Sequence, residues 1–282
     1  MTTPQPPSPS PSSSPSPASS PSPALSNTAR AHSFNSAAAQ YAANRPSYPP
    51  ALFDAVEELA GRSLSGAKVV DVGAGTGIAT ALLHARGADV LAVEPGAGMA
   101  AEFRRGLPRL PIVRGTGDAL PVADASADFI TYAQAWHWTD TARSVPEALR
   151  VLRPGGALAL WWNGDALDVD WIAEAAARVG RFLGVDVVGQ KRDAGRTELA
   201  DPSGRLRFSR REVRWSRRVP IDTHLANIGS HSAFLLTPED RRTAFLEEER
   251  AHLLKVFPDG IVEETYDVLL LVALKPRPAR QP

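Results

Sequence analysis

The chain has 282 residues, with 31 basic and 31 acidic side chains, and contains no cysteine. The zero formal charge gives no broad basic field for phosphates, which argues against a nucleic-acid or anionic-membrane binder. The lack of cysteine excludes disulfides, thiolate zinc sites, iron–sulfur clusters and a cysteine nucleophile. The longest apolar run, Val268–Leu274, is far shorter than the roughly 20 residues of a membrane helix.

The N-terminus is a Pro/Ser-rich segment, with nine prolines and ten serines in residues 4–26. Such a composition buries too little apolar surface to offset the entropy of ordering, so residues 1–27 are predicted to be a disordered tail. The segment has no basic start and no apolar block, so it is not a secretory signal. We expect residues 28–60 to form a lid and the first helix, and residues 61–282 to form the main domain.

From residue 50 onward, short apolar runs alternate with stretches of helical periodicity. The first such stretch predicts a helix that ends at Gly61. Strands that alternate with helices over short loops indicate right-handed βαβ units and a parallel sheet. Further helices are predicted over 78–86, 98–105, 144–152 and 171–183, and strands over 68–72, 89–94, 110–114, 129–132 and 157–162.

The alternation weakens after Asn163. Residues 211–219 alternate in a way that is typical of a half-exposed strand, although Arg217 fits the buried face imperfectly. A charged amphipathic helix is predicted over 238–256 and a last strand over 265–274. The fold class is therefore predicted as a doubly wound α/β domain, whose mostly parallel seven-stranded sheet carries helices on both faces. The arginine-rich stretch 205–218 would suit an anionic partner, but a solvated strand face is favoured.

The clearest chemical signal is the run Asp71–Gly77, which lies between a strand and a helix. Three glycines at alternate positions let the backbone turn tightly and approach a ligand closely. Neither Ile78 nor Thr80 supplies the last glycine of a dinucleotide fingerprint, and no phosphate-loop lysine follows. The acid before the glycines would repel a pyrophosphate and suits a ligand with positive charge. A plain strand–helix turn is the alternative.

Two further acids follow strands. Glu94 ends the second strand, 21 residues after Gly73, where a carboxylate can accept hydrogen bonds from both hydroxyls of a ribose. In Gly117–Pro121, Asp118 can accept from an exocyclic amine, while Ala119 adds apolar cover for a purine. Taken singly, an exposed strand-end glutamate and a simple type I turn would explain these residues.

These motifs, in this order, resemble those of class I S-adenosylmethionine-dependent methyltransferases. The resemblance spans roughly residues 34–273, and a narrower likeness points to small-molecule enzymes similar to trans-aconitate methyltransferase. The family motifs are Asp71–Gly77, Glu94, Gly117–Pro121, Asp124–Phe129 and Leu152–Gly156. The narrower likeness involves Phe34, Tyr41, Arg45-Pro46, Tyr48-Pro49, Gln134, His137-Trp138 and Trp162-Asn163.

The resemblance implies that S-adenosylmethionine binds at the carboxyl ends of the strands. Glu94 would hold the ribose, Asp118 the adenine amine, and the glycines would pass under the methionine part, with Asp71 near its ammonium group. Arg45 would fold over the cofactor and bind its carboxylate, although a surface arginine is an equal alternative. The predicted cofactor-binding residues are Tyr41, Arg45, Asp71, Gly73, Ala74, Gly75, Gly77, Glu94, Asp118, Ala119 and Gln134.

The acceptor is expected beside the segment that follows the fourth strand, enclosed by residues 164–260. His137 is the candidate general base there, although a packed histidine that fixes the loop is the favoured alternative. His231 is a weaker candidate for acceptor contact. The predicted substrate-binding residues are Trp136, Trp138, Asn163 and His231.

The implied function is transfer of a methyl group from S-adenosylmethionine to an oxygen, nitrogen or carbon atom of a small molecule. We expect a cytoplasmic enzyme with no metal, no nucleic-acid partner and no membrane partner, and the sequence carries no signal for its oligomeric state. Two alternatives remain: a non-catalytic cofactor-binding protein of the same fold, and a nicotinamide-dependent oxidoreductase. The failed dinucleotide fingerprint argues against the second alternative.

Overall fold

A computed structural model describes residues 42–184 and 200–277 of the chain. In these ranges the strands are β1 (Lys68–Val72), β2 (Asp89–Glu94), β3 (Ile112–Arg114), β4 (Ala127–Ala133), β5 (Leu152–Asp165), β6 (Phe208–Pro220) and β7 (Ile261–Leu274). The helices are α1 (Pro50–Ala60), α2 (Ile78–Ala85), α3 (Ala97–Gly106), α4 (Thr141–Val151), α5 (Asp170–Leu183), α6 (Ile221–Gly229), α7 (Ser232–Leu235) and α8 (Glu239–Val256).

All seven strands form one sheet, in the order β3-β2-β1-β4-β5-β7-β6. Strands β1 to β5 are parallel, whereas β7 is antiparallel to both of its neighbours, β5 and β6. The mostly parallel seven-stranded sheet of the sequence prediction is confirmed. Ligands of open parallel sheets bind at the carboxyl ends of the strands, so this topology brings the ends of β1, β2, β4 and β5 to one edge.

Two hydrophobic cores lie on opposite faces of the sheet. Val69 and Phe129 pack with α1 and α2 in one core, while their neighbours Val70 and Ile130 pack with α4 in the other. This division follows from the two-residue period of a strand, which sends successive side chains to opposite faces. The helices on both faces confirm the doubly wound architecture.

Strand β5 begins earlier than expected. The predicted helix ends before residues 153–156 and the predicted strand begins at 157, but β5 begins at Leu152, which pairs with Ala127 before a register shift. The next regular pair is Phe129 with Ala157, so the proline and glycines bulge out of the ladder. Helix α4 correspondingly ends at Val151.

Strand β6 is the edge strand at one side of the sheet, and its side chains alternate between half-buried and exposed as predicted. Arg217, the imperfect residue of the pattern, turns to the covered face because buried Glu264 pairs with it there. Every arginine of β6 has an acidic partner. This pairing supports the interpretation of β6 as a solvated strand face and not as an anion-binding surface. The pairs are Arg210 with Glu212, Arg211 with Glu58, Arg214 with Asp168 and Asp267, Arg217 with Glu264, and Arg218 with Asp259.

A third apolar cluster joins α6, α8 and the start of β7 beyond the main sheet. Ile221, Leu225, Leu253 and Val262 form its buried centre. Helices α6 and α7 were not predicted. In the described ranges, no helix is both long and apolar enough to cross a membrane. The predicted tail, Phe34 and Tyr41 lie outside the described residues.

Candidate active site

The glycine loop begins where β1 ends at the carboxyl edge of the sheet. Gly73, Gly75 and Gly77 all have positive φ angles, of 66°, 58° and 94°, which side-chain-bearing residues rarely adopt. A Cβ at Gly73 would lie 2.5 Å from the Ala135 Cβ, and one at Gly77 would press on Leu107 and Phe103. The first and third glycines are therefore required by packing.

The middle of the loop faces open space and leaves room for a ligand. A Cβ at Gly75 would meet no atom within 4 Å. The neighbouring Thr76 hydroxyl is buried and has no hydrogen-bond partner among the described residues. Because buried hydroxyls are normally paired, this oxygen fits a polar group supplied from outside the chain. The loop thus fits the cofactor that the sequence predicts, which would approach the backbone at Ala74 and Gly75.

Glu94 fixes the glycine loop to the end of β2. Its Oε2 accepts from the Gly75 amide at 2.8 Å, and its Oε1 accepts from the Gly96 amide at 2.6 Å. Burial raises the pKa of this carboxyl, and the two amides partly oppose that effect. Each oxygen has a second lone pair, so Glu94 can hold the loop and still accept from a ribose hydroxyl.

Asp71 lies fully buried at the end of β1. Its carboxylate accepts from the hydroxyls of Thr80 at 2.5 Å and Thr131 at 2.8 Å. Burial raises its pKa from 3.8 to about 6, although both hydroxyls lower it. A cation nearby would favour the charged form. Its role beside the cofactor ammonium remains a prediction.

Asp118 lies in a turn after β3 and is half-buried. Its Oδ1 accepts from the backbone amide of Asp140, which joins this turn to the start of α4. Burial raises its pKa. Ala119 is exposed beside it. A turn, which was the alternative explanation of Asp118, is therefore present. The contact of Asp118 with adenine stays a prediction.

Gln134 turns the chain sharply at the end of β4. Its φ of 58° is left-handed, which is unusual for a residue other than glycine. Its backbone amide donates to the Trp161 carbonyl, and its side-chain amide reaches the Asn163 carbonyl at 3.4 Å. Strained backbone of this kind often occurs at functional sites, and here it directs residues 135–138 across the edge of the sheet.

Trp136 belongs to the hydrophobic core and does not line an open acceptor pocket. Its side chain is 3% exposed, packs edge-on against Tyr132, and donates from its indole nitrogen to the Ala200 carbonyl. This placement corrects the expectation of direct contact with an acceptor, because both the ring and the polar atom are already used in packing. Trp138 remains half-exposed, and its ring lies tilted at 47° against that of His137, with the ring centroids 4.5 Å apart.

His137 is exposed, and its ring is oriented by Trp162. The indole nitrogen of Trp162 donates to the His137 Nδ1 at 3.2 Å. Because an indole N–H can only donate, Nδ1 must be unprotonated, and the proton of the neutral ring is on Nε2. In this tautomer the Nε2 atom is a hydrogen-bond donor and cannot accept a proton, which favours the loop-fixing role over the general base.

The segment before α1 crosses the edge of the sheet and is held there by several contacts. Asn163 donates to the Ser47 carbonyl and accepts from the Trp215 indole. Arg45 donates to the Ser230 carbonyl at 3.3 Å. Asn163, predicted to shape the acceptor site, therefore joins this segment to β5 and β6. The bonds of Tyr41 lie outside the described residues.

A buried polar network near this segment was not predicted. The carboxylate of Glu264 accepts from Arg217 at 2.5 Å, from Tyr266 at 2.7 Å and from the His224 Nδ1 at 2.6 Å. Burial would raise the pKa of Glu264, but its hydrogen bonds with His224 and Arg217 hold it below the ordinary value. His231, the predicted histidine of this region, is exposed at the start of α7.

Comparison with known proteins identifies the family. Residues 70–160 match a family model described as "Methyltransferase domain". An uncharacterized methyltransferase of Mycobacterium bovis is 37% identical over 226 residues, which cover 80% of this chain and 87% of that protein. A relative from Mycobacterium tuberculosis strain H37Rv, also an uncharacterized methyltransferase, matches to the same extent.

A solved structure has the same fold. A protein from Anaeromyxobacter dehalogenans, described as a type II methyltransferase, superposes with a TM-score of 0.64 at 26% identity and covers 83% of this chain and 99% of its own. The narrower likeness to trans-aconitate methyltransferase stays a prediction. Sheet order, glycine loop and relatives agree: the chain belongs to the class I methyltransferases, whose cofactor is S-adenosylmethionine.

Proposed function

We propose that this protein methylates a small molecule that binds at the carboxyl edge of the sheet, under residues 42–49. The observation that carries the proposal is the set of contacts across that edge. Arg217 donates to the carbonyls of Asn44 and Arg45, Arg45 reaches Ser230, and Asn163 reaches Ser47. A cover held so closely suits a compact acceptor better than a protein or nucleic-acid strand.

The residues at this edge fit the roles that such a reaction needs. Glu94 and the glycine loop would hold the ribose and methionine parts, Asp118 the adenine, and Arg45 the carboxylate. The bound cofactor supplies a methyl group already activated on a sulfonium. The chain then has to position the acceptor in line with that methyl group and exclude water, which are the main sources of rate in such transfers.

The same cover supports the acceptor-side roles of Trp138 and His231. Trp138 is half-exposed on the segment that Gln134 directs over the edge, and His231 follows Ser230, to which Arg45 binds. The paired arginines of β6 support the proposal that nucleic acid is not a partner. A location in the cytoplasm is part of the same proposal.

The experiment is a transfer assay with methyl-labelled S-adenosylmethionine. The purified protein is incubated with panels of small carboxylic acids, phenols, alcohols and amines, and in parallel with bulk protein and nucleic acid. We expect label in a low-molecular-weight product, together with S-adenosylhomocysteine. Label confined to protein or nucleic acid would contradict the proposal. Binding of S-adenosylhomocysteine without transfer to any pool would favour the non-catalytic alternative.

A further inference from the structure

Two histidines near the carboxyl edge are protonated on different ring nitrogens when neutral. The Nδ1 of His137 accepts from an indole, so the Nε2 of its neutral ring carries the proton. The Nδ1 of His224 instead faces a Glu264 oxygen at 2.6 Å. A carboxylate can only accept, so the His224 Nδ1 carries the proton and Nε2 has the lone pair when the ring is neutral.

The lone pair of His224 is buried and unused. Its Nε2 has no hydrogen-bond partner among the described residues, and its side chain is 12% exposed. One turn later on α6, the Oδ1 of Asn227 is also buried without a partner in the described ranges, and Asn227 is 7% exposed. Residues three apart on a helix share a face, so α6 carries two adjacent acceptor atoms that require a donor.

The network connects this histidine to the segment that covers the carboxyl edge. Glu264 lies on β7 just beyond the pair of Asp165 and Tyr266, where β5 ends at the carboxyl edge. Arg217 joins the Glu264 carboxylate to the backbone of residues 44–45 in the cover. The rings of Trp171 and His224 pack in a T-shaped arrangement with centroids 5.7 Å apart, which restricts the orientation of the histidine.

We infer that His224 is the general base of the proposed methyl transfer, and that Glu264 positions it. The inference rests on the proposed function. It also narrows the substrate class to acceptors that carry an O–H or N–H group, because a carboxylate acceptor would bring no proton to these two atoms. An aspartate or glutamate that orients a histidine through Nδ1 is the usual arrangement for such a base.

The reaction balances with no further reactant. The acceptor oxygen or nitrogen forms a bond to the methyl carbon as the carbon–sulfur bond breaks, and the electron pair of that bond stays on sulfur. The proton of the acceptor moves to His224 Nε2. The Glu264 carboxylate stabilises the resulting imidazolium, and the proton leaves to solvent after the product departs.

The first test needs no acceptor. Nitrogen-15 spectra of the histidine rings, in the full-length protein at pH 8, report which ring nitrogen is protonated. We expect His224 to be protonated on Nδ1 and His137 on Nε2, with assignments made from the His224→Gln and His137→Gln variants. A His224 ring protonated on Nε2, or on both nitrogens, overturns the inference.

The second test compares rates with the acceptor found in the transfer assay. His224→Gln should lower kcat at least about 100-fold, the lower end for a general base. Its KM for S-adenosylmethionine should stay within about twofold. Glu264→Gln, which removes the charge facing the imidazolium, should lower kcat about tenfold with the same unchanged KM. The control is His252→Gln, because His252 is exposed on α8.

The possible failures are distinguishable. A kcat loss below about fivefold for a folded His224→Gln overturns the role of His224 even where methyl transfer by the parent protein is confirmed. Preference for a carboxylate over an alcohol, phenol or amine acceptor overturns the substrate class in the same way. Failure of the parent to bind S-adenosylhomocysteine refutes the proposed function, and the ring spectra then still decide whether the histidine is arranged as described.

Discussion

Glu94 connects the stability of the glycine loop with cofactor binding. It accepts from the Gly75 and Gly96 amides and is the predicted partner of the ribose. Glu94→Ala should weaken S-adenosylhomocysteine binding by about 2–4 kcal/mol, since charge-assisted bonds are lost and the loop loosens. Calorimetric titration measures the effect, with Glu102→Ala on α3 as the control. Equal affinity of the parent and Glu94→Ala would remove Glu94 from the site.

The second prediction at this scale concerns His137. Its Nδ1 accepts from Trp162, so its neutral ring does not offer a lone pair on Nε2. His137→Gln should therefore lower kcat less than about tenfold across pH 5–9, below the usual contribution of a base. The measurement is a pH–rate profile beside that of His252→Gln. A loss of about 100-fold, with one limb of the profile abolished, would make His137 the base.

Asp71 gives a pH dependence of stability whose sign follows from its burial. Its pKa is about 6 in the folded state and 3.8 ordinarily, so the folded state holds the extra proton between these values. The free energy of unfolding should therefore fall as pH rises from about 4 to 6, by the order of 3 kcal/mol. Asp71→Asn should remove this slope.

Urea unfolding at pH 4, 5, 6 and 7 measures the effect of Asp71. The control is Asp89→Asn at the exposed start of β2, which should keep the slope of the parent protein. A constant difference in unfolding free energy between the parent and Asp71→Asn at all four pH values would show that Asp71 titrates alike in both states.

At the scale of elements, two glycines of the loop have different roles. Gly73 is required by packing, whereas Gly75 leaves space for the ligand. Gly73→Ala should destabilise the protein by several kcal/mol, because its Cβ meets that of Ala135 at 2.5 Å. Gly75→Ala should cost only about 1–2 kcal/mol for its left-handed backbone. It should nevertheless weaken S-adenosylhomocysteine binding at least tenfold, because the methyl group fills the open approach to the loop.

A matched glycine isolates the backbone cost at Gly75. Gly61, after α1, has a φ of 59° and open space around a Cβ, as Gly75 does. Gly61→Ala should destabilise the protein by about the same amount and leave ligand affinity unchanged. Denaturant unfolding and calorimetry of the three alanine variants give both quantities. Equal ligand affinity in Gly75→Ala and Gly61→Ala would place the cofactor elsewhere.

The elements that could be predicted are those with a local signal. Strands β1 and β2 match their predicted bounds because buried parallel strands are continuous apolar runs that end at glycine or proline. Helix α6 was missed because the polar residues His224 and Asn227 interrupt its apolar pattern, although the fold buries Asn227 and most of the His224 side chain. Helix α8 was predicted, but the burial of its Glu249 was not, since the bidentate partner Arg178 lies far away in sequence.

The same distinction applies to the site. Asp71–Gly77 and Glu94 were found because a strand, a turn and an acid occur together in the sequence. The partners of Glu264 come from β6, β7 and α6, so no spacing in the sequence brings them together. Trp136 and Trp138 are only two residues apart, and only the three-dimensional turn at Gln134 decides which of them is buried.

At the scale of the whole molecule, the sheet divides the site into two parts. The ends of β1 and β2 bring the glycine loop next to Glu94, while the end of β5 and the start of β7 bring Asn163 near the buried Glu264 network. The segment before α1 is held to this second part through Asn163 and Arg217. A cofactor on the first part and an acceptor on the second would therefore meet near Gln134, which donates to the Asn163 carbonyl.

Calorimetric titration of the full-length protein with S-adenosylhomocysteine, and separately with NAD, tests this arrangement most directly. We expect one equivalent of S-adenosylhomocysteine to bind and NAD to give no heat, because Asp71 precedes the glycines and the dinucleotide fingerprint is absent. Bound ligand should also raise the unfolding free energy, by about 2.7 kcal/mol at 100 times its Kd. Tight binding of NAD, with none of S-adenosylhomocysteine, would contradict the assignment of the glycine loop and Glu94 as the methyl-donor site.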